Sequence, residues 1–446
     1  MENILRKIKK LIPRKVFTIF QPVYHFKLAL IGALIYRFPS KHIKVIFVTG
    51  TKGKSSTTEF VNAMLESAGK KTALISTIRF KVANDTRPNK FKMTTPGRFF
   101  VQHFLREAVN AGCEYAIIEM SSEAAKQYRN KFIDADALIF TNISPEHIES
   151  HGSFEKYLAA KLSLAKALER SKKRNKTIVV NGDDAEAEKF LDINVPIKVE
   201  YKVADAKPYE LKEDGSTFNL FGKEVHTVLP GIFNIYNILA AANYCYTQGV
   251  TRDQMQNAIS KMHEIKGRVQ RIEAGQDFTV VVDYAHTADS LKNLYEAFPD
   301  SYKIGVLGNT GGGRDVWKRP EMAKVADKYC QEIILTDEDP YDDDPAQIVA
   351  DMRKAIEQKP CEVIMDRREA IRTALLKASK ASSSFKNNGK KVAVLITGKG
   401  TDPYIMRARG QKEIWSDATV AQEEIEKVLD QTKTNNRTKI GASLSS

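Results

Sequence analysis

The segment Gly50-Thr-Lys-Gly-Lys-Ser55 follows a β-branched apolar run at residues 45–49 and precedes a helix-like stretch at 57–65. Strand, glycine loop and helix N-terminus together cradle nucleotide phosphates. Backbone N–H groups point inward, a lysine reaches the outer phosphates, and a hydroxyl takes Mg2+. Lys54 is the phosphate lysine in this reading and Ser55 the metal hydroxyl, with Gly50, Thr51, Lys52, Gly53 and Ser56 completing the cradle. Only Thr51 and Lys52 separate the two glycines, fewer than in the ordinary phosphate loop. Glu119 ends a second apolar run. A carboxylate there can take Mg2+ directly or through water, and it can equally cap a helix. His147 and His151 follow the run at 137–141, and imidazole is an uncommon Mg2+ partner.

These residues need elements that bring them together. Short β-rich runs at 45–49, 72–76, 115–120, 137–141 and 177–181 alternate with helical patterns such as 154–168. A later set lies at 278–284, 303–307, 332–336, 362–366 and 391–397, with a helix at 320–330. This alternation predicts an α/β fold of parallel sheets with helices on their faces. Open parallel sheets collect ligands at the carboxyl ends of their strands. The polar clusters fall there: 50–56, 119–122, 141–142, 181–183, 283–286, 308–314, 336–339 and 398–400. A polar, β-poor stretch near 262–266 marks a boundary between the two sets.

At 446 residues the chain exceeds one comfortable core, and its hydrophobic content of 42% is ordinary for a globular protein. Cys113, Cys245, Cys330 and Cys361 are scattered without a C-x-x-C pair, which fits reduced, buried thiols in a cytoplasmic protein. Of the net charge of +14, residues 1–44 carry +9 and residues 431–446 carry +3, which leaves +2 for residues 45–430. The body is thus nearly neutral, and no nucleic-acid surface is expected. Residues 1–44 form a basic, aromatic segment lacking the roughly 20-residue apolar span a bilayer needs. It reads as a short helical piece packed on the body, with peripheral contact to an anionic inner membrane face as the second reading. The tail 431–446, rich in Thr, Asn, Lys and Ser, is expected to be disordered.

The spacing G-T-x-G-K-S resembles the ATP loop of the Mur ligase family, and the resemblance runs from Val45 to about Val428, nearest the branch that builds muramoyl tripeptides. It rests on Gly50–Ser55, Thr94-Thr95-Pro96, Glu119-Met-Ser-Ser122 with Arg129, residues 141–147, His151-Gly152, residues 157–161, Asn237, Gly267-Arg268, residues 282–286, residues 318–320, 336–345 and 398–400. The resemblance implies a P-loop ATPase domain at 45–266 and a Rossmann-like domain at 267–430. It also implies an acyl-phosphate route to an amide. The substrates would be ATP, a nucleotide-linked muramoyl peptide acceptor and a free amino acid.

Lys54, Glu119, His147 and Lys161 carry catalysis in this reading, and Ser55, Glu119, His147 and Lys161 hold two Mg2+ ions. Asn237, Arg268, Asp283 and His286 hold ATP, while Thr94, Thr95, Ser121, Arg129, Asp339, Tyr341, Gly398 and Asp402 hold the other substrates. Taken alone, Lys161 reads as a solvated helix charge; in the family the matching lysine is a carbamate, the CO2 adduct of its amine.

Several positions depart from the family pattern. About 49 residues precede Gly50, where a longer uridine-binding domain is usual. Glu146 replaces an aspartate, Glu123 a histidine and Ala288 a proline. The specificity motif D-N-P-R ends in Tyr341, which cannot grip a distal carboxylate bidentately as arginine does. Residues 337–344 hold six acids, which suit an incoming ammonium and favour L-lysine or another diamino acid over diaminopimelate. A folylpolyglutamate or poly-γ-glutamate ligase, and a non-catalytic nucleotide-binding scaffold, are the rival readings.

Overall fold

The computed structural model describes residues 14–146, 148–313, 316–385 and 389–443. They divide into two compact units. The first comprises the described residues to Pro145, His151–Val203 and Asn237–Ala258; the second takes Glu146–Ser150 apart from residue 147, Ala204–Tyr236, and the chain from Ile259 onward.

An eight-stranded sheet organises the first unit. Its strands are β1 (Lys44–Thr49), β2 (Thr72–Ile75), β3 (Arg79–Val82), β4 (Asp85–Pro88), β5 (Tyr115–Glu119), β6 (Ala137–Phe140), β7 (Thr177–Asn181) and β8 (Ile197–Tyr201). Their order is β4-β3-β2-β5-β1-β6-β7-β8, with every neighbouring pair parallel except those that β3 makes with β2 and β4. Val45, Ile46, Phe47 and Val48 are all fully buried, so β1 is covered on both faces, which explains its uninterrupted apolar sequence. The chain leaves β1 toward β2 on one side and later crosses to β6 on the other. The sheet therefore reverses at β1, and the carboxyl ends of β1, β5 and β6 are neighbours.

The helix Arg14–Ile35 buries His25, Ala29 and Ala33. Gly32 packs beside Phe99 of the helix Arg98–Asn110, where an added Cβ would make ordinary contact, 3.6 Å from Phe99 Cα. Arg106 clamps the end of the first helix by donating to Tyr36 O from Nε (3.0 Å) and Nη2 (2.9 Å). Val23, Tyr24, Ile31, Leu34 and Ile35 stay exposed. Among the described residues no helix is long and apolar enough to cross a membrane.

In the second unit β12 (Gln270–Arg271), β13 (Thr279–Val282), β14 (Tyr302–Leu307), β15 (Glu332–Leu335), β16 (Cys361–Val363) and β17 (Val392–Ile396) form a sheet of order β12-β13-β17-β14-β15-β16, parallel apart from β12. Alternate residues of these strands enter two separate cores. Val281, Leu307 and Leu395 face one; Val280, Val306 and Val394 face the other. A meander of β9 (Tyr209–Lys212), β10 (Gly215–Leu220) and β11 (Lys223–Thr227), and a hairpin of β18 (Tyr404–Met406) and β19 (Lys412–Ile414), complete it.

Arg367 ties the carboxyl side of this sheet together. Its Nε and Nη2 donate to both oxygens of Asp417 (2.8 and 2.7 Å), and it also donates to Asp337 O (3.2 Å) and Thr397 O (2.7 Å). Both partners are buried, and a lone charge left there costs about 3–5 kcal/mol.

Two expectations need correction. The last helix runs Asp417–Ser443, through most of the tail expected to be disordered. Val420, Ala421, Ile425 and Val428 are buried and anchor its first turns, after which each further residue adds one hydrogen bond without a new nucleation cost. Residues 444–446 lie outside the described residues. Lys161 is 1% exposed, not the solvated charge its local pattern suggests.

Candidate active site

The loop after β1 is held by close backbone packing. Gly50 has φ +153°, and a Cβ there would lie 1.9 Å from Thr141 Oγ1. Gly53 has φ +80°, and its Cβ would lie 2.3 Å from Asn237 Oδ1. Only glycine fits either position. Thr51 N donates to Asn142 O (2.8 Å) and Lys52 N to Asn142 Oδ1 (2.9 Å), while Thr141 Oγ1 donates to Lys52 O (2.7 Å). The residues after β6 thus set the shape of the loop. The helix Lys54–Ser67 starts without a side-chain cap or an acid in its first turn, so its positive dipole end is suited to an anion.

Lys54 Nζ donates to Gly50 O (3.0 Å) and Thr51 O (2.8 Å), so the amine lies over the loop. Lys161, on the helix Phe154–Glu169, donates to Gly50 O from the other side (2.6 Å) and lies 4.7 Å from the Tyr157 ring centre. Tyr157 Oη is 2.9 Å from Thr51 Oγ1. Ser56 is buried under the loop.

Glu119 is 1% exposed and meets Ser55 Oγ at 3.0 Å. It also accepts from Thr77 N (2.7 Å), and Thr77 Oγ1 stands 3.1 Å from its other oxygen. The hydroxyls continue outward: Thr77 Oγ1 is 3.0 Å from Thr94 Oγ1, and Thr95 Oγ1 donates to Glu119 O (2.6 Å). Arg129 Nη1 donates to Thr95 O. Lys54, Ser55, Lys161, Glu119, Thr94, Thr95, Arg129 and Asn237 are therefore brought together in the first unit.

Ser121, expected to touch substrate, here caps the helix Ser122–Lys126 by accepting from Ala124 N (3.1 Å). His151 is buried 3.1 Å from Ser122 Oγ and 3.4 Å from Glu123. Burial lowers its affinity for a proton more than that carboxylate restores it. His147 lies outside the described residues.

Arg268, Asp283 and His286 gather in the second unit. Both Asp283 oxygens accept backbone bonds, from Val269 N and Ala285 N (2.7 Å each), and burial raises this carboxyl above the ordinary range. Arg268 stacks 4.6 Å over the Tyr284 ring. His286 Nδ1 is 2.7 Å from Tyr284 O, and its Nε2 is 3.1 Å from Glu146.

Asp339 and Asp402 also meet in this unit, around Lys399, which Gly398 precedes in the chain. This fully buried ammonium lies 2.8 Å from Asp339 Oδ2 and 3.6 Å from Asp402. Tyr341 has φ +55°, its N–H donates to Met406 O (3.0 Å), and its ring faces Gly312.

The run of acids is mostly committed within the fold, contrary to its expected role toward an ammonium. Asp337 pairs with Arg407 and Asp339 with Lys399. Asp342 accepts from Arg409 N (2.6 Å), Asp343 from Gly312 N (3.0 Å), and Asp344 caps the helix Pro345–Arg353 through Ala346 N (3.0 Å). Glu338 is the exception. Its Oε1 accepts from Thr310 Oγ1 (3.0 Å), while its buried Oε2 has no hydrogen-bond partner among the described residues. Gly398 leaves the space for it, since a Cβ there would lie 2.2 Å from that oxygen. Burial, reinforced by Asp339, pushes the Glu338 carboxyl up to about 7 against the pull of Arg367 and Lys399.

Residues 48–245 match the Mur ligase middle domain, and residues 267–400 match the Mur ligase glutamate ligase domain. The chain is 35% identical over 393 residues to the UDP-N-acetylmuramoyl-L-alanyl-D-glutamate--2,6-diaminopimelate ligase of Syntrophomonas wolfei, spanning 84% of this chain and 77% of that protein. The chain belongs to the Mur ligase family. Mur ligases are ATP-dependent and use Mg2+. A second relative, the UDP-N-acetylmuramyl-tripeptide synthetase of a Roseiflexus species, is 34% identical over 85% of this chain and 78% of its own length. Among solved structures, a UDP-N-acetylmuramoyl-L-alanyl-D-glutamate--2,6-diaminopimelate ligase superposes with a TM-score of 0.58 at 28% identity, covering 86% of this chain and 78% of the other. Mycobacterium tuberculosis folylpolyglutamate synthase reaches a TM-score of 0.67 at 16% identity over 83% of this chain and 91% of its own, a likeness of fold alone.

Glu338 gives a pH signature within this Mur ligase. Its folded value of about 7 lies above its ordinary 4.5, so between those values the folded state keeps a proton that the unfolded chain has released. Its contribution to stability is therefore present below pH 4.5 and lost as pH rises through 7. Glu338→Gln is expected to gain stability relative to the wild type as pH rises from 5 to 8. Urea unfolding at both values checks this, and an unchanged difference between the two proteins would remove Glu338 as the titrating group.

Proposed function

We propose that this Mur ligase joins a diamino acid to the glutamyl carboxylate of a UDP-N-acetylmuramoyl-L-alanyl-D-glutamate acceptor. The observation that carries this reading is the contact of Ser55 with Glu119 beneath the glycine loop, continued through Thr77 to Thr94, in a chain whose relatives are named for that acceptor. Nucleotide cradle and acceptor residues form one hydrogen-bonded set.

The donors suit Mg2+: the Ser55 hydroxyl and Glu119 carboxylate are hard oxygen ligands at the mouth of an anion-binding helix. When bound, the ion neutralises charge on the phosphates and the developing acyl phosphate. Lys54 offers its ammonium to the outer phosphates in exchange for two loop carbonyls. The acceptor carboxylate takes the γ-phosphoryl group and ADP leaves. The amine then attacks the acyl carbon, loses a proton, and expels phosphate as the amide forms. Negative charge gathers on the phosphoryl and acyl oxygens in both steps, so cations held by Thr95 and the glycine loop lower the barrier.

Tyr341 offers one hydroxyl where a distal carboxylate needs a cationic fork. Glu338, the acid in the run with an unused oxygen, is the group that would receive a distal ammonium. These two residues favour L-lysine, although several relatives are named for diaminopimelate. A matrix of acceptors against amino acids, read as ADP release and product mass, tests both parts. Turnover of the muramoyl dipeptide with lysine ahead of diaminopimelate on kcat/KM is expected. Diaminopimelate winning would overturn the amino-acid assignment, and no turnover with any muramoyl acceptor would overturn the acceptor.

Lys161 is the second part of the proposal. Its amine is buried against Gly50 O at the phosphate loop, where the CO2 adduct would exchange a cation for an oxygen ligand to a second Mg2+. Lys161→Ala is expected to lose at least about 100-fold in kcat, a barrier increase of about 2.7 kcal/mol, and to recover partly with added short carboxylates. An intact-mass measurement showing free Lys161 in fully active enzyme would contradict the adduct.

A further inference from the structure

The acceptor side of the first unit contains two guanidinium groups that form no ion pair among the described residues, with the nearby Glu123 only a partial counter-charge to Arg129. Arg129 is 9% exposed and donates only to neutral groups, Thr95 O, Gln127 Oε1 (2.9 Å) and the Met93 sulfur (3.8 Å). Arg98 is half-buried, and its Nη2 meets the Nδ1 lone pair of His25, which the helix Arg14–Ile35 buries there. Neither arginine has a carboxylate partner among the described residues, and the Nε of each is buried without a hydrogen bond. Such an arrangement is costly unless an anion completes it.

Arg98 also opens the helix Arg98–Asn110, whose N-cap, Gly97, supplies no side-chain bond and whose first turn holds no acid. Its first N–H groups and its dipole therefore favour the same negative charge. Gly97 is exposed, so the helix start is open to solvent. Burial and the nearby Arg129 push the Arg98 guanidinium down to about 10, as expected for two cations sharing one buried region. Through Thr95 this region is two hydrogen bonds from Glu119.

We propose that Arg98 joins Arg129 in an oxyanion site that holds an anionic group of the acceptor, so that Arg98 and the His25 beneath it are positioning residues for that substrate. This inference rests on the ligase reading above for the identity of the acceptor. The shared chemistry is a carboxylate or phosphate oxyanion, and the acceptor contains both, in its peptide and in its diphosphate. Guanidinium groups suit either, because their N–H groups pair with two oxygens of one anion.

The test is equilibrium binding of the UDP-muramoyl dipeptide, of L-alanyl-D-glutamate alone and of UDP alone to wild type, Arg98→Ala and Arg98→Lys, with thermal midpoints of all three proteins. Arg98→Ala is expected to weaken the whole acceptor about 10-fold or more, the scale of a charged hydrogen-bond pair. Arg98→Lys, which keeps the charge but not the fork, is expected to recover part of that loss. KM for the acceptor should rise at least 10-fold while kcat changes less than about twofold. A loss confined to the dipeptide identifies the carboxylate as the anion held, and a loss confined to UDP identifies the diphosphate. Should Arg98→Ala fail to fold, the lysine variant alone decides, by the same ratios. Wild-type affinity of either folded variant for the acceptor and both fragments would overturn the site. Wild-type protein that binds a fragment through Arg98 yet turns over no muramoyl acceptor would sustain the site and defeat the ligase reading.

Discussion

The contact between Ser55 and Glu119 is the constraint on which the first unit depends. It requires β1 and β5 to be adjacent and parallel, with Val48 opposite Glu119, so that a loop leaving one strand meets a carboxylate ending the other. The uninterrupted apolar sequence of β1 secures that placement, because a strand buried on both faces has no stable position at an edge. β6 then fixes the loop itself through Thr141 and Asn142, whose closeness excludes any side chain at residue 50. Glu119 is thus a structural acceptor for Ser55 and Thr77, and in the proposed mechanism it is also an oxygen ligand for Mg2+ at the start of the helix that follows the loop.

The second unit is governed by buried charge. Arg367 with Asp417 and Lys399 with Asp339 hold the loops beyond β15 and β17 in one geometry. Burying such pairs gains little net stability, but losing one partner is severe, so their effect is to select a single arrangement of those loops. Glu338 stands among them with one oxygen unused. Its neighbours are already neutralised by fixed partners, which leaves it the acid most responsive to a new cation.

The parallel strands were legible because burial on both faces demands continuous apolar runs, and β7 matches its expected span from residue 177 to 181. Strands with polar faces were not. The hairpin of β3 and β4 contains Arg79, Lys81, Asp85 and Arg87, while in the meander β9 buries none of its residues and β10 and β11 bury theirs only over short spans. The Asp214-Gly215 and Phe221-Gly222 turns were the available signals for that meander. At the site, the glycine loop and Glu119 were legible from residue type and position. Thr77, Glu338 and Arg98 were not, because a threonine in a turn, one acid among six and one arginine at a helix start have no local pattern. Their roles depend on contacts between residues distant in sequence. The committed acids of residues 337–344 show the reverse error: a charge run suggested a ligand, and most of it closes hydrogen bonds within the fold.

In the proposed mechanism Ser55 and Glu119 are the oxygen pair that joins metal to nucleotide. Titrating ATP into wild type and Glu119→Gln, with and without Mg2+, tests this most directly. The amide preserves shape and the ability to accept from Ser55 while removing the charge a divalent cation needs. The wild type should bind ATP more tightly when Mg2+ is present. In Glu119→Gln that gain should fall about 10-fold or more, with Mg2+-free affinity and the thermal midpoint little changed. A Glu119→Gln protein that keeps the full Mg2+-dependent gain would contradict the assignment of the site.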